Sequence, residues 1–236
     1  MKVEIGNATL ICADARIVLS EIMTPESVVV TDPPWDQARG IPGADDPRGL
    51  FSSVAGDLAR AKCVAVQLGC YTDPTFCAPL AALMPFFHTC WLKYILPSYR
   101  GRVLVSSDVA YVYGTPPPSV PGRRVIPAEV LSNNREPEEL EFNRGYGRNR
   151  GHKEALARCA ELAHPMPRRL QHVRWLIEWH STSENIIVDP FMGSGTAGVA
   201  CARLGRRFIG IEVEQKYFSL ACRRIEQAQR QGRLFA

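Results

Sequence analysis

Seven short, almost wholly apolar runs set the frame of this chain: residues 9–12, 28–31, 63–68, 89–94, 109–113, 186–188 and 208–211. Most lack the polar alternation of a strand with one wet face, so they read as strands covered on both sides, as parallel strands in α/β proteins are. Helical patterns lie between them. Leu170, Val173 and Ile177, with Leu176 and Trp179 beside them, recur at three- and four-residue steps and predict a helix over 168–180. Ala197, Ala200, Cys201 and Leu204 predict a second, closed by Gly205 as a glycine C-cap. A third runs from about 215 to 229, with Phe218, Ala221, Cys222 and Ile225 inward. Strands alternating with helices build an α/β fold, a mostly parallel sheet with helices on both faces.

The 236 residues suit one domain, 1–236, with insertions. Two stretches interrupt the rhythm. Residues 36–49 are rich in Gly, Pro and Asp, and 115–153 opens with Pro116-Pro117-Pro118. Loops longer than about 15 residues in a compact domain are usually lids or binding loops. Residues 36–56 are therefore expected to form a mobile loop, and 115–160 an inserted segment.

With 46% hydrophobic and 22% charged residues the composition is that of a globular protein. A net charge of +4 permits contact with a polyanion without demanding it. The first ten residues lack the apolar stretch of a signal peptide, and no run approaches the roughly 18 apolar residues of a membrane helix, so a cytoplasmic address is expected. The eight cysteines include no CxxC pair, so no metal site is expected and the thiols read as buried, reduced packing residues.

The tetrapeptide Asp32-Pro33-Pro34-Trp35 follows the apolar run 28–31, at the carboxyl end of a strand, where open α/β sheets bind ligands. Two prolines fix the backbone and remove two amide donors, leaving carbonyl acceptors. Acceptors suit an amine. The exocyclic amine of a base is a poor nucleophile because its lone pair is delocalised into the ring. If Asp32 and the Pro33 carbonyl each take one of its N–H bonds, the lone pair is freed, and Trp35 offers a face for a base extruded from a helix. Alone, the four residues read equally as a strand-ending turn with a packing tryptophan.

A second site lies at Asp189-Pro190-Phe191-Met192-Gly193-Ser194-Gly195-Thr196, an acid at a strand end, a tight glycine turn, then the start of a small-residue helix. The glycines are expected to let a ligand approach the backbone, and the helix start to offer amides to a carboxylate. The next strand ends at Glu212, the acid about 20 positions on that accepts ribose hydroxyls in nucleotide-binding βαβ units.

With these motifs in this order the chain resembles the β-type amino-methyltransferases of DNA, in which an Asp-Pro-Pro-aromatic motif precedes a Phe-x-Gly-x-Gly motif. The resemblance covers most of the chain. It implies the Rossmann-like fold of S-adenosylmethionine-dependent methyltransferases, with a mostly parallel seven-stranded sheet and permuted motif order. It also implies S-adenosylmethionine as cofactor, and assigns methyl transfer to Asp32, Pro33, Pro34 and Trp35. Cofactor contacts carried over from the family fall on Asp14, Ala15, Asp32, Asp189, Phe191, Met192, Gly193, Ser194, Gly195, Thr196, Glu212 and Val213. Asp14 reads equally as a helix N-cap. His164-Pro165-Met166-Pro167-Arg168-Arg169 is similar to the family's His-Pro-Thr-x-Lys-Pro segment, with Met166, Arg168 and Arg169 departing from it. His164 and Pro165 join the cofactor set, and Arg168 could pair with the cofactor's carboxylate.

Asp at 32 with Trp at 35 is more typical of the family's adenine enzymes, so the expected reaction is methylation of adenine N6 in double-stranded DNA. The readings beside it are cytosine N4, adenine in RNA, and a noncatalytic nucleic-acid-binding module on the same fold. A glutamine-amide methyltransferase is disfavoured by motif order. Arg123, Arg124, Arg144, Arg148, Arg150 and Lys153 are the candidate phosphate contacts, in a segment expected to recognise the target. A homodimer and a restriction-enzyme partner are left open by the sequence.

Overall fold

The computed structural model describes residues 1–35, 45–70, 72–100, 103–115, 129–132 and 168–234. Among the described residues nine strands form one sheet: β1 (Lys2–Ile5), β2 (Ala8–Cys12), β3 (Ser27–Thr31), β4 (Cys63–Gly69), β5 (Phe86–Arg100), β6 (Val103–Gly114), β7 (Glu129–Ser132), β8 (Ile186–Asp189) and β9 (Arg207–Glu212). Their order is β1-β2-β9-β8-β3-β4-β6-β5-β7. The central block β2-β9-β8-β3-β4 is parallel throughout, while β6 runs antiparallel to both β4 and β5. All seven expected strands are present, and the fold is the expected α/β one. The sheet is larger than seven by two strands at its edges, β1 antiparallel to β2 and β7 parallel to β5.

Six α-helices cover the sheet among the described residues: α1 (Ala15–Ile22), α2 (Pro47–Leu58), α3 (Ala78–Ala81), α4 (Leu170–His180), α5 (Thr196–Leu204) and α6 (Gln215–Leu234). The pleat sends successive side chains to opposite faces, and β3 shows the result. Val28 and Val30 enter a core with Leu176 of α4, Ala200 of α5 and Phe218 of α6. Val29 enters a separate core with Leu19 of α1, Phe51 of α2 and Leu80 of α3. None of these helices is long and apolar enough to cross a membrane.

One sequence expectation is corrected: the loop foreseen over 36–56 gives way to α2 from Pro47 on. Asp46 caps this helix by accepting the Gly49 amide at 2.9 Å, Pro47 sits in its first turn, and Phe51, Val54, Ala55 and Leu58 form its buried face. Within the segment 115–160, residues 129–132 form β7. The seven described cysteines are free thiols, and Cys159 lies outside the described residues.

Candidate active site

Four neighbouring parallel strands, β2, β9, β8 and β3, end on one side of the sheet. Ala13, Glu212, Asp189 and Asp32 sit at or just past those ends. A cavity partly open to solvent lies there. Asp32, Pro34 and Trp35 form one part of its wall, and Asp189 to Ser194 with Thr196 another. The two motifs, far apart in the chain, thus share one cavity. The Thr31 hydroxyl ties them by donating to Asp189 Oδ1 at 2.8 Å, across the adjacent ends of β3 and β8.

Of the residues assigned by resemblance, Ala15, Asp32, Arg168, Asp189, Phe191, Met192, Gly193, Ser194, Thr196, Glu212 and Val213 line the cavity. Asp14, Pro33 and Gly195 are not on its wall. Asp14 caps α1, accepting the Arg16 amide at 2.9 Å and pairing with the Arg16 guanidinium, which holds its carboxyl below the usual range. Gly195 serves packing. It has φ +80°, and a Cβ there would come within 2.8 Å of the Ala221 Cβ on α6. His164, Pro165, Arg123, Arg124, Arg144, Arg148, Arg150 and Lys153 lie outside the described residues.

The glycine turn is held from within. Met192 N donates to Ile211 O, Gly193 N to Glu212 Oε2, Gly195 N to Met192 O and Phe191 N to Asp189 Oδ1. These four amides of the turn therefore have protein acceptors. Arg224, buried on α6, fixes the turn from behind by donating to Ser194 O at 2.6 Å and to Ser194 Oγ at 2.9 Å.

Polar capacity toward the cavity remains elsewhere. Glu212 accepts the Gly193 amide on one oxygen and the Glu214 amide on the other, leaving a lone pair on each for hydroxyl donors. Burial pushes its carboxyl up, and those backbone amides pull it back. Gln67 Nε2 and Trp35 Nε1 are buried with no acceptor among the described residues, and both residues line the cavity. A hydroxyl acceptor, two orphan donors and apolar walls from Val30, Phe191, Met192 and Val213 suit a nucleoside-bearing ligand.

At the other end, Arg168 grips Asp32. Its Nε and Nη2 donate to the two carboxylate oxygens at 2.7 and 2.6 Å, and its Nη1 donates to Asp108 Oδ2 on β6 at 2.6 Å. The guanidinium lies 4.7 Å above the Trp35 ring, which is only 3% exposed. In this structure Arg168 thus pairs with the Asp32 carboxylate, and a guanidinium covers the tryptophan face expected to be open. Burial raises the Asp32 carboxyl above its ordinary value, and Arg168 offsets part of that. Gln67, Asp108, Val173 and Tyr217 were not foreseen as parts of the site.

Residues 92–223 match the model of a family described as DNA methylase. The chain belongs to this DNA methylase family. S-adenosylmethionine is the family's methyl donor. Among curated relatives, the type II methyltransferase M2.DpnII of Streptococcus pneumoniae is 57% identical over 47 residues, 20% of this chain and 18% of that protein. M2.LlaDCHI of Lactococcus lactis subsp. cremoris is 51% identical over 53 residues, 22% and 20% of the two chains. The chain thus matches about a fifth of the length of these relatives. Among solved structures, M1.HpyAVI in complex with SAM aligns with a TM-score of 0.63 at 19% identity, covering 92% of this chain and 99% of that one. The cytosine-N4-specific PvuII DNA methyltransferase aligns with a TM-score of 0.65 at 18% identity, covering 93% and 86%. These two likenesses concern the fold.

Proposed function

We propose that this member of the DNA methylase family transfers a methyl group from S-adenosylmethionine to the N6 amino group of adenine in double-stranded DNA. The observation that carries the reading is the shared cavity of the Asp32–Trp35 turn and the Asp189–Thr196 turn. Glu212 would hold the ribose hydroxyls of the cofactor, with Ala15, Phe191, Met192, Val213 and Tyr217 around it. When bound, the cofactor supplies an electrophilic methyl group.

The chain's own residues do the rest. Asp32, on the cavity wall, accepts an N–H of the target amine, the neighbouring Pro33 carbonyl being the second acceptor that the resemblance assigns; this localises the nitrogen lone pair, and the Asp32 carboxylate takes up the proton released from nitrogen. Fixed acceptors facing a charge that develops during reaction lower its barrier without reorganising. Trp35, with the guanidinium that covers it, forms a flat wall for the base, since bases stack on aromatic rings and on guanidinium planes alike. Arg123, Arg124, Arg144, Arg148, Arg150 and Lys153 supply phosphate contacts.

Adenine is favoured over cytosine because the motif opens with Asp32; the likeness to a cytosine-N4-specific enzyme keeps the second base as the rival. The test is incubation with unmethylated duplex and cofactor, digestion to nucleosides and mass spectrometry. N6-methyladenine is the expected product. N4-methylcytosine would replace the base assignment, and absence of methyl transfer to any duplex would refute the reading. Asp32→Ala is expected to retain cofactor binding and lose turnover.

A further inference from the structure

Arg168 sits where the family pattern places a lysine, and four contacts fix its guanidinium. Two go to Asp32, one goes to Asp108, and the plane is backed by Trp35. The side chains of Arg168, Asp32 and Asp108 are 10%, 21% and 8% exposed, so this is a largely desolvated triad rather than a surface ion pair. Asp108 is itself anchored, because the Tyr94 hydroxyl donates to the same Oδ2. The chain of contacts thus runs from Tyr94 on β5 and Asp108 on β6, through Arg168 just before α4, to Asp32 at the end of β3.

A side-on fork through Nε and Nη2 uses the two carboxylate lone pairs that face the arginine. The outward lone pair on each oxygen stays available. Such a carboxylate can still accept an amine N–H while its rotation is fixed. A lysine in the same place would bring the charge without the two parallel bonds.

We propose that Arg168 is a positioning residue for methyl transfer: its fork sets the orientation of the Asp32 carboxylate toward the target amine and supplies its counter-charge, with Asp108, Tyr94 and Trp35 holding the fork in place. This rests on the adenine-methyltransferase reading above. It differs from the role that resemblance suggests, in which Arg168 would bind the cofactor's carboxylate.

The charged and titratable groups facing this carboxylate are Arg168, Asp108 beyond it with Tyr94, and Asp189 at the end of the neighbouring β8. Burial raises the Asp32 carboxyl and Arg168 lowers it. Removing the guanidinium should therefore raise it further, so that the ionised, proton-accepting form appears only at higher pH.

The test compares wild type, Arg168→Gln and Arg168→Lys by three readouts: cofactor Kd, the pH profile of kcat on duplex DNA, and the Asp32 carboxyl titration followed by 13C NMR with Asp32→Asn as the assignment control. For Arg168→Gln the expected result is a cofactor Kd within about twofold of wild type, kcat at pH 7.5 lowered at least about tenfold, and both the acid limb of kcat and the Asp32 titration moved upward. For Arg168→Lys the Asp32 titration should stay near that of wild type while kcat recovers only in part. This second variant keeps a charge between the two carboxylates, so it carries the test if the glutamine variant fails to fold. An unmoved Asp32 titration in Arg168→Gln, full recovery of kcat by lysine, or a large rise in cofactor Kd would each overturn the proposal. If wild type methylates no duplex, the functional reading fails while the NMR titration still decides whether Arg168 governs Asp32.

Discussion

The Thr31 hydroxyl donates a 2.8 Å hydrogen bond to Asp189 Oδ1, joining the Asp32–Trp35 turn to the Asp189–Thr196 turn at the point where β3 and β8 end. Asp189 also accepts the Phe191 amide, yet burial dominates and pushes its carboxyl up from 3.8 to about 7. Its folded-state value lies above its unfolded one, so the folded protein binds the extra proton between these limits. The contribution to stability is therefore full below about pH 3.8 and is lost as pH rises through 7. Asp189→Asn keeps an acceptor for Thr31 and cannot ionise. It should gain stability over wild type as pH rises from 5 to 8, by at most about 3 kcal/mol. Urea unfolding at the two pH values reads this, and an equal change in both proteins would refute the assignment. Thr31→Val, which leaves the buried carboxyl short of a donor, should cost about 1–3 kcal/mol.

Glu212 gives a prediction about binding. Both carboxylate oxygens are needed as acceptors, one for the Gly193 amide and one for the Glu214 amide. Glu212→Gln turns one of them into a donor facing a backbone N–H and removes the charge that would accept ribose hydroxyls. Hydrogen bonds to charged groups contribute about 1.5–3 kcal/mol, so the Kd for S-adenosylmethionine should rise roughly 10- to 100-fold by calorimetry. An unchanged Kd would place the ribose elsewhere.

What was legible in the sequence follows from which interactions are local. The central strands were readable because runs such as 28–31 and 63–68 are apolar on both faces, and the three C-terminal helices because their apolar residues repeat at helical spacing. β1 escaped because it is a short edge strand with alternating exposure, carrying Lys2 and Glu4 on its wet side. α2 was obscured by Pro47, Gly49 and Gly56, although Phe51, Val54, Ala55 and Leu58 carry its period. At the site, the two motifs announced themselves through local turn chemistry. The pairing of Arg168 with Asp32 and Asp108 joins residues 136 and 60 positions apart, and no local pattern encodes it.

Two glycines at the ends of α5 separate packing from conformation. Gly195 and Gly205 both have positive φ, +80° and +64°. A Cβ on Gly205 would meet nothing within 4 Å, whereas one on Gly195 would lie 2.8 Å from the Ala221 Cβ and 3.0 Å from its Cα. Gly205→Ala should therefore cost only the left-handed penalty, about 1–2 kcal/mol. Gly195→Ala should cost that plus the displacement of α6, about 1–3 kcal/mol more, and should weaken cofactor binding because the same turn carries Met192 and Gly193. Comparable melting temperatures for the two variants would show that α5 and α6 do not meet at Ala221.

Two buried histidines are expected to weaken the fold in acid. A carbonyl can only accept, so His180 Nδ1 is the donor to Leu176 O at 2.8 Å, and its Nε2 carries a bare lone pair facing His88 Nε2 at 2.9 Å. The same logic makes His172 Nε2 the donor to Lys93 O, leaving Nδ1 buried without a partner. Burial lowers both rings from 6.5 to about 4. Here the unfolded chain binds protons first, so stability is full above pH 6.5 and is lost as pH falls toward 4. Each ring should cost about 2 kcal/mol at pH 5. Asp189 acts in the opposite direction over the same range, so the effect is read as a difference between wild type and a variant at each pH. His180→Gln is expected to lose less stability than wild type between pH 7 and pH 5, because protonation can no longer set two N–H donors face to face at the His88 contact. A variant whose urea midpoint falls by as much as that of wild type would show that His180 is not the ring that acid attacks.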